Sequence, residues 1–182
     1  CELGQEGVLL LLADSTNVEK PGYTMSEKTV GAGLDDLFRT AGNSRIIVAT
    51  FSSNIHRLQQ IIDMAKKCNR KVAISGRSMV NVIGVARELG YLDIEDDMLV
   101  DLNDISKYDD SELVIITTGT QGEPMSALAR MASSEHKKVE IRPEDLVIIS
   151  AHPIPGNEKL ISKVINLLFE KGARVVYNDL AD

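Results

Sequence analysis

The stretch RIIVATFSSNIHRLQQIIDMAKKCNRKVAIS (45–75) decides the fold. It begins with a β-branched run that does not alternate apolar with polar, passes through the polar turn TFSSN, continues as NIHRLQQIIDMAKKC (54–68) and ends on a second run, KVAIS (71–75). A continuous apolar run suits a strand covered on both faces, as the strands of a parallel sheet are. Strand, helix and strand in this order make one parallel crossover. The same pattern recurs downstream, with strand candidates LVIITT (113–118), LVIIS (146–150) and RVVY (174–177). Helical stretches SMVNVIGVARELG (78–90), PMSALARMA (124–132) and NEKLISKVINLLFEKG (157–172) lie between them. In the last, Leu160, Val164, Ile165, Leu168 and Phe169 fall on one face at helical spacing and Gly172 closes the helix. The fold class that follows is α/β, a mostly parallel sheet with helices on both faces, doubly wound. The acidic segment DIEDDMLVDLNDISKYDD (93–110) reads as a solvated surface connection.

With 182 residues, 43% hydrophobic and 26% charged, the chain has enough apolar material for one good-sized domain with its own core. Cys1 and Cys68 are the only cysteines, which excludes a disulfide framework and a Cys-rich zinc site. A reducing, cytoplasmic setting is the expectation. No apolar run approaches the roughly 20 residues of a membrane span, so no membrane partner is expected. A net charge of −7 argues against gripping nucleic acid by a broad basic surface. An RNA partner must then be met by a local pocket. The chain enters an apolar run almost at once and without an initiating Met, as expected for a piece of something longer.

Ligands of doubly wound sheets gather at the carboxyl ends of the strands. Those ends here read TFSSN, SGRSM, TTGTQGEP and SAHPIPGN, the polar, Gly-rich or Pro-rich segments of the chain. TTGTQGEP (117–124) matches neither GxxxxGK[ST] nor GxGxxG, which excludes a nucleotide-binding P-loop. It is either an anion-facing turn or a tight structural one, with Gln121 and Glu123 bracing its tip. SGRSM (75–79) sets Arg77 and Ser78 at a helix start, where they either hold a phosphate or, for Arg77, pair with a carboxylate. The three histidines, His56, His136 and His152, form no HxxxH or HxH pattern, so the chain holds no self-sufficient zinc site. His136, in SSEHKK, is expected at the surface; His56 faces the strand-end crevice or packs its helix. No serine sits in GxSxG and neither cysteine has a catalytic partner in sequence, which disfavours covalent nucleophilic catalysis.

LLLLADSTN (9–17) poses a separate question. Four leucines require a dry core, whereas Asp14 and the polar residues after it require hydrogen-bond partners, water or a cation. Either a strand ends there and Asp14 caps the next turn, or a strand delivers a carboxylate to a site.

The motifs DSTNVEKPGYTMSE, TFSSNIHRLQQ, SGRSM, TTGTQGEPMSALARMA and PIPGNE, in that order and spacing, resemble the bacterial ribonuclease J family. That family belongs to the β-CASP branch of the metallo-β-lactamase superfamily. The resemblance covers essentially the whole chain and implies a division into the end of a metallo-β-lactamase domain (1–20) and a β-CASP domain (21–182), Rossmann-like in its winding. It implies a parent enzyme that hydrolyses RNA with two zinc ions, 5′-to-3′ from a preferred 5′-monophosphate and also internally, in RNA maturation and decay. Asp14 matches the aspartate that bridges the zinc ions. Glu27, in MSEKTVG, matches an acid that orients an active-site histidine, or is a plain acid at a helix start. Residues expected to face RNA are Ser52, Ser53, His56, Arg77, Ser78, Asn81, Thr120 and Gln121. The family's HxHxDH motif would precede residue 1 and its later histidine motifs would follow Asp182, so this chain alone is expected to be inactive. His152 is expected to line the crevice and not to bind zinc. Aromatic residues are only 4% and Trp is absent, so phosphate and ribose contacts should outweigh base stacking. At full length the family assembles as homo-oligomers or paralogue complexes, and a paralogue can be non-catalytic and structural. A phosphate- or nucleotide-binding α/β domain of a metabolic enzyme is the other alternative; it would need a Gly-rich phosphate loop after the first strand, which this chain lacks.

Overall fold

One of the two central strands is β1 (Ile46–Ala49), and each of its four residues is buried because both of its faces are covered. The computed structural model describes residues 2–15, 18–19, 21–22 and 27–177, with the side chains of Leu3, Glu27 and Lys28 outside that description. The short helix α1 (Glu2–Glu6) and the longer α2 (Glu27–Thr40) precede β1. After it come α3 (Ile55–Lys67), β2 (Lys71–Ser75), α4 (Arg77–Glu88), β3 (Leu99–Val100) and β4 (Leu113–Thr117). The described part of the chain closes with α5 (Ala127–Ala132), β5 (Leu146–Ile149), α6 (Glu158–Glu170) and β6 (Arg174–Tyr177). The strands form one six-stranded sheet in the order β3-β2-β4-β1-β5-β6, and every pairing is parallel.

Alternation within each strand divides the apolar residues between two cores. Ile46 and Val48 of β1, with Val72, Val114, Ile116, Leu146 and Ile148, pack against α2, α3 and α4 on one face. Ile47 and Ala49, with Ala73, Ile115, Val147 and Ile149, pack against α5 and α6 on the other. A strand that serves two cores has no solvent side, which is why the expected α/β reading came from unbroken apolar runs.

At the amino edge of the sheet, buried arginines satisfy backbone carbonyls and one carboxylate. Arg45 and Asp145 are each 2% exposed and pair at 2.6 and 3.0 Å, tying the start of β1 to the start of β5. Arg45 also donates to the Glu140 carbonyl, and Asp145 also accepts the Arg142 N–H, so the pair is hydrogen-bonded beyond its own two contacts. Arg70 donates to the carbonyls of Gly42, Ser44 and Leu113.

Three expectations need correction. The acidic segment 93–110 is more than a solvated connection: it carries the edge strand β3, paired with β2, and buries Ile94, Met98 and Ile105. A two-residue strand set among aspartates leaves no apolar run to read. In α6 the buried residues are Ile161, Val164, Ile165 and Leu168, while Leu160 and Phe169 lie 41% and 51% exposed. The apolar sector of that helix is wider than the sheet face it covers, so its flanks stay at the surface. The leucine run is not a buried strand: residues 10–15 have no regular secondary structure, and Leu9 and Leu12 are 104% and 85% exposed. No described strand pairs with it, and no described apolar face covers it. Among the described residues no helix is long and apolar enough to cross a membrane.

Candidate functional site at the carboxyl edge of the sheet

Because every strand runs the same way, all strand-to-helix turns leave from one edge. From β1 and β2 they lead to α3 and α4 on one face; from β4 and β5 they lead to α5 and α6 on the other. β1 sits between β4 and β5, so the winding changes direction across it, and the turns diverge around the ends of these central strands.

After β1, Asn54 caps α3 by accepting the Arg57 N–H at 3.0 Å. This local bond fixes the SSN turn, leaving Ser52 half-buried and Ser53 and His56 exposed. The neighbouring residue, Arg57, turns inward and is 7% exposed; its guanidinium donates to the Ser150 hydroxyl and, at 3.2 Å, to the Ser150 carbonyl. After β2 the chain passes through Gly76 at φ 108°, where a Cβ would lie 2.8 Å from Thr118 Oγ1. Only glycine tolerates both that backbone and that contact. It also gives the start of α4 no side-chain cap, and Arg77, Ser78 and Asn81 stand exposed there. Arg77 takes part in none of the ion pairs among the described residues, so the carboxylate partner left open by its sequence context is not seen.

The β4 turn is built differently. Gly122 lies so close to α6 that a Cβ there would meet the Leu160 carbonyl carbon at 2.5 Å. Thr120 and Gln121 are buried, and the Gln121 amide is spent inside the protein: it donates to the His152 carbonyl at 3.0 Å and accepts from the Ile154 N–H at 2.8 Å. Asn157 reaches the same oxygen at 3.4 Å. Gln121 thus ties the β4 turn to the β5 turn and does not project from the edge, whereas Glu123 is exposed. His152 is exposed on the β5 turn, held by its carbonyl.

His136 departs from its expected surface position. It is half-buried behind β2, with Nε2 3.1 Å from the Ser75 hydroxyl and Nδ1 accepting the Val139 and Lys138 N–H groups at 3.0 and 3.3 Å. Two donors at Nδ1 require the neutral ring with its proton on Nε2, so Nε2 donates to Ser75. Burial, with Arg130 and Lys138 nearby, holds the His136 pKa below its ordinary value. The charged context SSEHKK hides this, because the partner that draws the ring inward is 61 residues away.

Asp14 is exposed at the end of the leucine run, and the Glu27 side chain lies outside the described residues. Among the described residues no group of three or more His, Cys, Asp or Glu is placed to hold a metal ion. A zinc centre needs about three protein ligands, so these residues do not form one by themselves.

The chain matches the family model "Ribonuclease J, beta-CASP domain" over residues 43–168. It is 51% identical to ribonuclease J of Helicobacter pylori (strain ATCC 700392 / 26695) over 176 residues, 97% of this chain and 25% of that protein. It is 48% identical to ribonuclease J of Thermus thermophilus, covering 97% of this chain and 30% of that protein. Ribonuclease J2 of Bacillus subtilis is 44% identical over 97% of the chain and 32% of its own length. The chain therefore spans about a quarter to a third of the curated relatives it matches.

The His136 geometry fixes a pH dependence. The folded state disfavours the proton that the unfolded chain accepts near its ordinary pKa of about 6.5, so this contribution to stability is complete above that pH and is lost as pH falls below it. Denaturant unfolding at pH 7.5 and pH 5.5 should show a smaller difference for His136→Gln than for the unaltered protein. An equal difference in both would contradict the assignment.

Proposed function

Because the chain belongs to the ribonuclease J family and supplies its β-CASP domain, we propose that the carboxyl edge of its sheet clamps the sugar-phosphate backbone of RNA in a full-length nuclease. The observation that carries this reading is the exposure, on one edge, of Ser53 and His56 at the start of α3, beside the half-buried Ser52, and of Arg77, Ser78 and Asn81 at the start of α4. Helix starts present backbone N–H groups and the positive end of the helix dipole, which suit phosphate oxygens. Hydroxyls and one guanidinium add donors without reading sequence. With a net charge of −7, affinity has to come from this local arrangement. Thr120 and Gln121, expected to face RNA, are buried, and Gln121 serves the site by tying the β4 turn to the β5 turn.

We assign the parent enzyme metal-dependent hydrolysis of RNA, acting on 5′-monophosphorylated ends and at internal bonds, in the cytoplasm and as a homo-oligomer or paralogue complex. Zinc is the metal this reading favours, with Asp14 as one ligand and Glu27 as the acid that orients a histidine ligand. The remaining ligands come from parts of the enzyme that this chain does not contain. A bound zinc pair supplies an activated water and charge stabilisation at the phosphodiester. With one carboxylate where about three protein ligands are needed, this chain alone is expected to bind RNA and not to cleave it. Residues 1–20 are then the end of a metallo-β-lactamase domain, whose remainder would cover the leucines before Asp14, and the β-CASP domain takes up 21–182.

In the full-length enzyme, Arg77→Ala should weaken binding similarly for RNAs of different sequence. It should also reduce the slope of log affinity against log salt by about 0.7, the share of one phosphate contact on a single strand. An unchanged slope would count against the clamp. Asp14→Ala should leave the melting temperature near that of the unaltered enzyme while bound metal and nearly all cleavage are lost. Unaltered turnover in that variant would remove Asp14 from the metal site.

A further inference from the structure

We infer that Arg57 is a positioning residue for RNA binding, touching no RNA itself and setting the β1 turn against the β5 turn; the inference rests on the clamp reading above. TFSSNIHR and SGRSM each put an arginine at a helix start on the same edge, yet the two differ in kind. Arg77 is exposed, whereas Arg57 is 7% exposed with its guanidinium turned to Ser150. Ser150 is the first residue beyond β5, and both its hydroxyl and its carbonyl accept from Arg57. A planar guanidinium can serve two acceptors of one residue at a fixed angle, which sets orientation as well as distance.

The main chain of the same residue is held as firmly. Its N–H is the group that Asn54 caps, so the side chain that reaches Ser150 starts from the bond that fixes the Ser52, Ser53 and His56 turn. On the far side, the turn that begins at Ser150 is held at His152 and Ile154 by Gln121. A continuous chain of hydrogen bonds therefore runs from the β1 turn through Arg57 and Ser150 to the β5 turn, and through Gln121 to the β4 turn. Arg57 is the link that joins the exposed, RNA-facing turn of β1 to this braced pair. Without it the end of β1 keeps its backbone bonds to Ser150 and Thr117, and the start of α3 keeps its Asn54 cap but loses its side-chain tie to the β5 turn.

The test uses the full-length enzyme and a 5′-monophosphorylated single-stranded RNA oligonucleotide. Affinity is measured over a range of salt concentrations, well below the melting temperature of each variant. Arg57→Gln should weaken binding roughly tenfold, the lower end of what losing a group that orients a ligand-contacting residue costs. Its salt slope should match that of the unaltered enzyme, since no phosphate contact is removed. Ser150→Ala, which removes one acceptor without changing charge, should shift affinity in the same direction by less, and Ser150→Thr, which keeps the hydroxyl, should restore it. If Arg57→Gln does not fold, the Ser150 pair carries the test. Unaltered affinity in Arg57→Gln and Ser150→Ala, with only a lowered melting temperature, overturns the inference by making the contact merely structural. A slope reduced by about 0.7 in Arg57→Gln overturns it by making Arg57 a phosphate contact. Absence of salt-dependent RNA binding by the unaltered enzyme overturns this inference together with the clamp.

Discussion

Parallel pairing is the constraint on which the rest depends. With all six strands aligned, every strand must hand the chain to a crossover from the same edge, so the four polar turns are brought together by topology before any side chain acts. The two edges then have opposite characters. At the amino edge, Arg45, Arg70 and Asp145 spend their charges inward on one another and on backbone carbonyls, closing the sheet. At the carboxyl edge, Arg57 and Gln121 are spent inward in the same way, while Ser53, His56, Arg77, Ser78 and Asn81 stand on the surface. A rigid inner layer of hydrogen bonds beneath an exposed polar layer is the arrangement that binding without reorganisation requires.

Much of this fold was legible because parallel strands leave a strong trace. β1, β2, β4, β5 and β6 each carry an unbroken apolar run, and each lies within the stretch where that run predicts it. β3 was not legible, since two residues beside aspartates make no run, and its strand character comes only from pairing with β2. The rotation of α6 was misread for a related reason. Helical spacing identifies a sector, but only the sheet decides that Ile161 is covered and Phe169 is not. The leucine run shows the limit most plainly: its composition demands burial, and the described residues provide none.

The site was legible as a set of turns and not as a division of labour within them. Gly76 and Gly122 are found where backbone approaches are too close for a side chain, so their places in SGRSM and TTGTQGEP carried real information. What sequence could not tell apart were two arginines at two helix starts. Arg57 is drawn inward by Ser150, 93 residues away, and Arg77 has no such partner among the described residues. For Gln121 the sequence left a ligand contact and a bracing role both open, whereas His136, expected at the surface, is half-buried. An amide in a Gly-rich turn reads as a ligand contact or a brace and a histidine among charges reads as solvated, until His152 and Ser75 supply the partners that bury them.

The central claim is that RNA lies across the carboxyl edge, over the starts of α3 and α4. Amide hydrogen exchange of the full-length enzyme, with and without a 5′-monophosphorylated RNA, tests it directly. The account predicts slowed exchange on RNA binding in peptides covering residues 50–57 and 76–82, and no change at the amino edge around residues 42–45 and 142–145. Protection at the amino edge, or none anywhere in residues 43–168, would contradict it.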